Sequence, residues 1–212
     1  MKRTLEEHAA RFDEQADSYD DGNSPEYRAC ANLVIEHADP DDGDTVLDLG
    51  TGTGAIALAL APAAGRVIGR DISEGMRERA RQKAADRGLE NTEFGEGRFL
   101  EPNLPDDADV DVVVSNFALH HLSDAEKREA IETIAGLDPA RFVLGDVLFF
   151  GMPDPDEPFY SPAVDDPATV GTLVDAFTDV GFALTVVERV HDQVGVLVGE
   201  RVPTGTTGEG GQ

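Results

Sequence analysis

The segment "VLDLGTGTGAIALALA", residues Val46–Ala61, decides how the rest of this chain is interpreted. An apolar run leads into Gly50, Gly52 and Gly54, and a stretch of small and aliphatic residues follows them. This order predicts a strand, a tight glycine loop and a helix. Glycines at such a place let bare backbone and N–H groups approach a ligand closely. The segment therefore predicts a ligand-binding loop at the carboxyl end of a strand.

Strand and helix patterns alternate on either side of this segment. The patterns predict helices over 4–16, 25–38, 54–64, 73–87, 124–135 and 168–180, and strands over 44–49, 66–72, 91–97, 108–117, 141–150, 182–190 and 192–202. Alternation of this kind predicts a doubly wound, mostly parallel α/β sheet with right-handed crossovers. Only a few turn residues separate the last two strands, so there is no room for a crossover helix and they must pair antiparallel.

The composition is that of a folded but strongly acidic domain. The chain has 212 residues, of which 40% are hydrophobic, and 43 acidic residues against 17 basic ones give a net charge of −26. One domain with a real core is expected at this length. Such a charge is typical of a halophilic protein, although an ordinary acidic protein is the simpler alternative. The same charge disfavours nucleic acid and anionic membranes as partners.

Cysteine usage and the N-terminal sequence limit the compartment and the chemistry. Cys30 is the single cysteine, so it cannot form an internal disulfide. It is expected to pack in the core instead. No cluster has metal-ligand spacing, so no metal site is expected. No signal-peptide pattern or long apolar run is present, which predicts a soluble, cytoplasmic protein.

Two carboxylates help to choose between the cofactor classes that the glycine loop admits. The loop fits a relaxed dinucleotide fingerprint and equally the nucleoside loop of a methyl-transfer enzyme. Asp48 precedes Gly50 by two positions, where a carboxylate suits an amine-bearing ligand and sits poorly beside a pyrophosphate; a solvated aspartate at the strand end is the alternative. Asp71 ends the next strand and can accept ribose hydroxyls in either class. Met76, on the helix after Asp71, is expected either to pack on an adenine ring or to be an ordinary core residue.

Taken together, these segments resemble the class I S-adenosylmethionine-dependent methyltransferases, in particular their small-molecule branch. The likeness rests on "VLDLGTGTGAIALALA", "VIGRDIS", "DVVVSNFALHHL", "FVLGDVLF" and the terminal strand pair. It implies a Rossmann-like sheet of seven strands, S-adenosylmethionine as cofactor and a helical lid in which Tyr19 covers that cofactor. The resemblance implies a cofactor site made of Tyr19, Asp48, Gly50, Thr51, Gly52, Asp71, Ile72, Met76, Glu96, Arg98, Phe99, Ser115 and Asn116.

The adenine end departs from the family pattern. Many relatives carry an aspartate after the third strand that reaches the adenine amino group, whereas this chain has Arg98 there. Either Glu96 takes over that role, or Phe99 and its backbone N–H bind the adenine alone. An exposed arginine that balances nearby acids is an equally good interpretation of Arg98.

Candidate catalytic residues follow the fourth and fifth strands. His120 could act as a base or orient the acceptor, and Asp146 lies across the same expected pocket mouth. Adjacent histidines point in different directions, so at most one of His120 and His121 is expected to face the pocket. By resemblance, Phe117 or Leu119 packs beside the cofactor. Phe159 and Tyr160 are candidates for the pocket walls or are simply loop anchors.

The sequence thus predicts an S-adenosylmethionine-dependent methyltransferase for a small or medium-sized acceptor. The expected organisation is a lid over 1–40, a cofactor-binding domain over 41–202 and a disordered tail over 203–212. The alternatives are an NAD(P)-dependent oxidoreductase, a catalytically inert cofactor-binding relative, and an RNA or protein methyltransferase. Aligned methyl transfer needs no covalent intermediate, so the lack of a clear catalytic dyad does not count against the enzyme.

Overall fold

A computed structural model describes residues 4–152 and 158–201 of the chain. The elements in chain order are α1 Leu5–Gln15, α2 Pro25–Ala38, β1 Thr45–Leu49, α3 Ala55–Leu60, β2 Arg66–Asp71, α4 Glu74–Asp86, β3 Thr92–Glu96, β4 Val112–Asn116, α5 Asp124–Gly136, β5 Arg141–Phe149, β6 Ala168–Thr169, α6 Val170–Asp179, β7 Phe182–His191 and β8 Val194–Arg201. Two short 3₁₀ turns, Tyr19–Gly22 and Leu119–His121, lie after α1 and after β4.

The strands form one sheet in the order β3-β2-β1-β4-β5-β8-β7. Strands β1 to β5 are parallel, and β8 lies between β5 and β7, antiparallel to both. The predicted α/β class and the antiparallel pair at the end of the chain are therefore confirmed. The carboxyl ends of the parallel strands lie along one edge of the sheet, where open α/β folds bind their ligands.

Helices cover both faces of the sheet, as the apolar strands require. Successive residues of a strand point to opposite faces, so Val46 packs in the cluster with α2, α3 and α4, while Leu47 packs in the cluster with α5 and α6. Helix α2 belongs to the core, because Cys30, Val34 and Ala38 are all fully buried. The expectation that Cys30 is a buried packing residue is confirmed.

The observed bounds differ from the predicted ones mainly at element ends. Helix α3 stops at Leu60, earlier than the predicted residue 64, and its cap Ala61 begins a tight turn in which Ala63 and Ala64 donate to the carbonyl of Leu60. A two-residue strand, Ala168–Thr169, pairs with the end of β5 where the sequence predicts the start of the last helix. Local patterns set element types well, whereas element ends depend on such local bonds.

Helix α1 is tied to the start of α4 by a carboxylate. Oδ1 of Asp13 accepts hydrogen bonds from the Ser73 hydroxyl at 2.5 Å and from the Gly75 N–H at 2.9 Å. These donors lie at the N-terminus of α4, where the helix dipole favours negative charge. The bonds hold α1 over the ligand-binding edge of the sheet.

None of the helices in the described ranges is both long enough and apolar enough to cross a bilayer.

Substitution of Phe177 in α6 tests how the core between the sheet and helices α5 and α6 is stabilised. Its fully buried ring stacks on Phe142 of β5 with centroids 4.8 Å apart and an interplanar angle of 2°. We expect Phe177→Ala to lower the free energy of unfolding by about 3–5 kcal/mol, because the removed ring leaves a cavity. Val187 of β7 is 49% exposed, so Val187→Ala should change it by only about 0.5 kcal/mol. Denaturant unfolding at fixed salt measures both, and equal losses would contradict this account of the core.

Candidate active site

A cavity of about 310 Å³ lies at the carboxyl ends of the central strands. This volume is at the lower end of the range of about 300–1,000 Å³ that is typical of small-molecule sites. The cavity is lined by His8, Phe12, Tyr19, Tyr27, Gly50, Thr51, Gly52, Asp71, Ile72, Met76, Gly97, Arg98, Phe99, Leu100, Asn116, Phe117, Ala118, His121, Leu122, Glu126 and Val164. The glycine loop, the strand ends and the N-terminal helix thus meet around one space.

The glycine loop has the conformation that only glycine adopts readily. Gly50, Gly52 and Gly54 have φ values of 72°, 53° and 82°. A Cβ at Gly50 would lie 2.4 Å from the Cβ of Ala118, so the bare backbone lets the loop after β1 meet the loop after β4. A Cβ at Gly52 would meet nothing within 4 Å, which leaves that face of the loop open towards the cavity.

Asp71 links the glycine loop to the loop after β2. Its two carboxylate oxygens accept hydrogen bonds from the Gly52 N–H and the Ser73 N–H, each at 2.9 Å. Burial raises the pKa of Asp71, although these backbone donors oppose the shift. Each oxygen keeps a second lone pair, so the carboxylate can still accept hydroxyl groups from a ligand in the cavity.

Asp48 lies beneath the glycine loop and does not line the cavity. Its side chain is 1% exposed, and Oδ2 accepts from the Thr51 hydroxyl at 2.7 Å and from the Ala57 N–H at 3.2 Å. Burial raises the pKa of Asp48 to about 7, against the effect of these donors. In this structure the carboxylate fixes the loop and the first turn of α3.

Residues that were predicted to bind adenine fall into two groups. Ile72, Met76, Arg98 and Phe99 line the cavity, and Arg98 also binds Glu101 at 2.8 Å. Glu96, in contrast, is exposed and does not line it. The structure therefore brings Phe99, and not Glu96, to the cavity.

Two polar residues follow from the end of β4. The Ser115 hydroxyl is fully buried and donates to the Leu49 carbonyl at 2.8 Å, which joins β4 to β1 away from the cavity. Asn116 lines the cavity and is 7% exposed, and neither its amide nitrogen nor its amide oxygen has a hydrogen-bond partner. Only the second of these residues lines the cavity, and both of its amide atoms are buried.

His120 and Asp146 form a buried pair behind the cavity wall. Nδ1 of His120 lies 2.5 Å from Oδ1 of Asp146, and Oδ2 of the same carboxylate accepts from the His120 N–H at 2.9 Å. Burial opposes the charged form, but the carboxylate outweighs it and raises the pKa of His120. Neither residue lines the cavity, so the pair fixes the turn after β4.

Of the two adjacent histidines, His121 is the one that lines the cavity. Its Nδ1 lies 2.8 Å from Oδ1 of Asp165, whose Oδ2 accepts from the Ser161 N–H at 2.8 Å. Burial lowers the pKa of His121, although Asp165 opposes the shift. The expectation that one of the two adjacent histidines faces the pocket agrees with this geometry, but the one favoured from the sequence was His120.

The N-terminal segment forms the roof of the cavity. Phe12 of α1 lies edge-on to Tyr19, with ring centroids 6.4 Å apart. Asp20, next in the chain, accepts from the Thr53 hydroxyl at 2.7 Å and pairs with Lys83 of α4. The roof is therefore held to the glycine loop and to α4.

Sequence reasoning missed several cavity residues. His8 and Phe12 were read only as part of a charged helix, and Tyr27 and Asp165 were not singled out. Phe117 was expected near the cofactor and does line the cavity, whereas Leu119 is buried in the core. An aromatic residue one turn after His8 on an otherwise charged helix is the one local signal that could have indicated a buried face.

These residues fit an adenosine-type ligand. Asp71 offers paired oxygens for ribose hydroxyls, Gly52 leaves room for close approach, and Met76 and Phe99 provide apolar surface for a purine. A pyrophosphate, in contrast, would lie close to two buried carboxylates, Asp48 and Asp71. The cavity therefore favours a nucleoside cofactor without phosphates.

Comparison with known proteins identifies the family. Residues 46–137 match a family model described as a methyltransferase domain. An uncharacterized methyltransferase of Bacillus velezensis is 32% identical over 155 residues, which span 66% of this chain and 70% of that protein. This chain belongs to the class I S-adenosylmethionine-dependent methyltransferases. The cofactor of the family is S-adenosylmethionine, and the NAD(P)-dependent alternative is not favoured.

Two further matches define how far this likeness extends. An uncharacterized methyltransferase of Geobacillus is 39% identical over 126 residues, and the match spans 57% of this chain and 57% of that relative. The solved structure of the DhpI-SAH complex superposes with a TM-score of 0.72 at 21% identity and covers 94% of this chain and 97% of that one. The second match shows that the likeness in fold extends over nearly the whole chain.

Asp48 provides a test of the buried charge beneath the glycine loop. The unfolded carboxyl ionises near 3.8 and the folded one near 7, so the stability of the folded protein falls as pH rises between these values and levels off above them. Asp48→Asn keeps an oxygen for Thr51 and Ala57 but cannot ionise. We expect it to be more stable than the parent at pH 8 by about 2–4 kcal/mol, with a smaller gain at pH 5.

Chemical denaturation across this pH range measures the effect of Asp48→Asn. Asp86 of α4 is exposed, so Asp86→Asn is the matched control and should leave the parent's pH dependence unchanged. A parental slope that survives in Asp48→Asn would show that another group causes it.

Proposed function

We propose that this methyltransferase transfers a methyl group from S-adenosylmethionine to a small or medium-sized acceptor that reacts beneath the N-terminal roof. The observation that carries the proposal is a single cavity bounded by the cofactor loop, by α1 and by the segment after β4. His8, Phe12 and Tyr19 of the N-terminal roof line this cavity, and a roof over the cofactor favours a small acceptor over a macromolecule. A small acceptor fits beneath this roof without displacing α1.

The residues of the chain divide between holding the cofactor and aligning the acceptor. We assign Asp71, Ile72, Met76 and Phe99 to the adenosine end, and the loop Gly50–Gly52 to the amino-acid end. S-adenosylmethionine supplies a methyl group that its sulfonium charge already activates. The chain's part is therefore to align the acceptor with this group and to exclude water, which the roof and the aromatic lining favour.

Several predicted residues have supporting rather than contacting roles in this proposal. Asp48 and Ser115 hold the loop after β1 and the end of β4 in place, and Glu96 makes no contact with the ligands. His120 and Asp146 position the turn that carries His121. Arg98 borders the cavity while paired with Glu101.

The organisation and partners follow the same reasoning. Residues before 40 divide into a roof, made of α1 and the turn at Tyr19–Gly22, and the core helix α2. The tail over 203–212 and part of the loop before Phe159 lie outside the described residues. We infer that nucleic acid is not the acceptor, because a net charge of −26 opposes binding to phosphates.

Asp71 provides the test of cofactor binding. Asp71→Ala should weaken binding of S-adenosylhomocysteine by at least about tenfold, because it removes charged hydrogen-bond acceptors from the ribose site. Asp86→Ala, on an exposed face of α4, is the matched control and should bind like the parent. Titration calorimetry measures the three affinities, and circular dichroism checks that the variants fold. Binding of NAD instead of S-adenosylhomocysteine by the parent would refute the assignment.

We further propose that this protein is halophilic. The dependence of its stability on salt concentration tests this proposal. Screening of 43 acidic side chains should reduce repulsion in the folded state as salt increases. We expect the melting temperature to rise steadily from low to molar KCl, measured by calorimetry. A melting temperature that is independent of salt would indicate an ordinary acidic protein.

A further inference from the structure

A second, more open groove shares some of its lining residues with the cavity. This groove, of about 400 Å³, is lined by Gln15, Ser18, Tyr19, Gly22, Asn23, Ser24, Tyr27, Phe117 and Phe159. Tyr19, Tyr27 and Phe117 line both spaces. The groove and the cavity therefore share a wall made of these three aromatic rings.

The aromatic wall favours a flat ring in the groove. Phe117 lies 5.0 Å from Tyr27 and 6.2 Å from Phe159 between ring centroids, with interplanar angles of 59° and 65°. Inclined rings of this kind present both faces and edges, which suit stacking or edge contacts with a planar group. Phe159 is held in place by its N–H, which donates to the Gln193 side chain at 3.0 Å.

Phe117 has a strained backbone conformation, which positions its aromatic ring. Phe117 has φ of 55°, a left-handed conformation that is unfavourable for a bulky residue. Its N–H donates to the Gly145 carbonyl at 2.9 Å, which holds the peptide in place. Strain of this kind persists where the surrounding structure imposes it and is concentrated at functional sites. Here it places the ring between the groove and the cavity.

The described lining of the groove disfavours ionic acceptors. No lysine, arginine, histidine or carboxylate is among the described residues that line the groove, and its polar groups are amides and hydroxyls. The guanidinium that reaches the cavity, Arg98, is already paired with Glu101. An anionic acceptor would lack a partner cation, and an ammonium would lack a partner carboxylate within the groove. The lining therefore suits an uncharged acceptor.

Asn116 and Tyr27 provide a polar end to this aromatic site. Both amide atoms of Asn116 are buried and neither meets a group in good hydrogen-bonding geometry, although the Tyr27 hydroxyl is near enough to interact with the amide. The Tyr27 hydroxyl lies close enough for Asn116 to affect it: burial raises the pKa of Tyr27 and the amide partly offsets this. A hydroxyl group of a ligand, which both donates and accepts, would complete this pair.

His121 adds a proton acceptor beside the same cavity. A carboxylate only accepts, so Asp165 fixes the proton of His121 on Nδ1 and leaves the lone pair of Nε2 available. Because burial lowers the pKa of His121, this imidazole is neutral at pH 7. His121 can therefore take a proton from a hydroxyl group in the cavity.

We propose that the acceptor is an uncharged planar aromatic compound whose hydroxyl group is methylated, with Asn116 holding that group and His121 accepting its proton. This rests on the proposed function. As the acceptor oxygen bonds to the methyl carbon, its proton passes to Nε2 of His121. The bond between that carbon and the sulfonium sulfur breaks, and its electron pair remains on sulfur. The proton later leaves His121 to solvent.

The experiment compares matched acceptors with labelled S-adenosylmethionine. Mono- and dihydroxyaromatic compounds are incubated with the full chain alongside the aromatic carboxylates and amines of the same ring size, and products are analysed by mass spectrometry. We expect methyl ethers to form at least tenfold faster than any other product. Methylation of carboxylates, of amines or of RNA would overturn the inference.

Binding of S-adenosylhomocysteine in the same preparation separates the two proposals. If it binds and no hydroxyaromatic compound is methylated, the acceptor inference fails while the cofactor assignment stands. If it does not bind, the proposed function itself fails.

Variants at His121 and Asn116 test the two assigned roles. His121→Gln should lower kcat about 100-fold with little change in KM, whereas Asn116→Ala should chiefly raise KM. Both should bind S-adenosylhomocysteine within twofold of the parent. The matched control is His37→Gln, because His37 forms another histidine–carboxylate pair, 3.0 Å from Glu188, and lines neither space. A His121→Gln variant with parental kcat would overturn the proton-accepting role.

The pH profile provides a readout that a merely structural role would not change. The groups that face His121 are Asp165, His120, Asp146 and, from α1, His8. The parent's kcat should fall at acid pH, below the ordinary imidazole pKa, as His121 becomes protonated, and the fall should be absent in His121→Gln. Loss of activity with a chelator would instead make His121 a metal ligand together with His120 and Asp165, whose ligating atoms lie within 4.8 Å, and would overturn the inference.

Discussion

The close approach of Gly50 to Ala118 is the constraint on which the ligand-binding edge depends. A side chain at Gly50 would place a Cβ 2.4 Å from that of Ala118 and would force the loops after β1 and β4 apart. In the proposed function, those loops carry groups that hold the cofactor and groups that face the acceptor. The missing side chain at Gly50 therefore helps to set the distance between donor and acceptor, together with the hydrogen bond from the Ser115 hydroxyl to the Leu49 carbonyl that joins β4 to β1.

Buried polar groups stabilise this arrangement from below. Asp48 fixes the glycine loop, Asp146 fixes the turn after β4, and Asp71 joins the loops after β1 and β2. Each of these carboxylates accepts from at least one backbone N–H, which offsets part of the unfavourable burial of charge. Asp48 and Asp146 lie beneath or behind the cavity, whereas Asp71 lines it, so the site is shaped partly by residues that a ligand need not touch.

The fold could be predicted from the sequence because its signals are local. Apolar runs, the glycine loop and the short connection before β8 indicate strand types and the antiparallel pair without any knowledge of distant contacts. The site was only partly predictable, because its remaining features depend on pairs far apart in sequence. His121 and Asp165 are 44 positions apart in the sequence, and Asp13 and Ser73 are 60 positions apart. Contacts between such distant residues produce no periodic pattern in the sequence. His120 was favoured over His121 because a sequence cannot show which of two adjacent side chains turns towards a cavity.

The bonds from Asp13 to Ser73 and Gly75 also bear on how the chain folds. Helix α4 needs acceptors for its first N–H groups, and one of these acceptors is supplied by a helix that precedes the entire sheet in the chain. A fragment that begins after α1 would lose that acceptor and expose the apolar residues beneath it. The N-terminal helix is therefore part of the cooperative folding unit, and during synthesis it must wait for the first half of the sheet before it can dock.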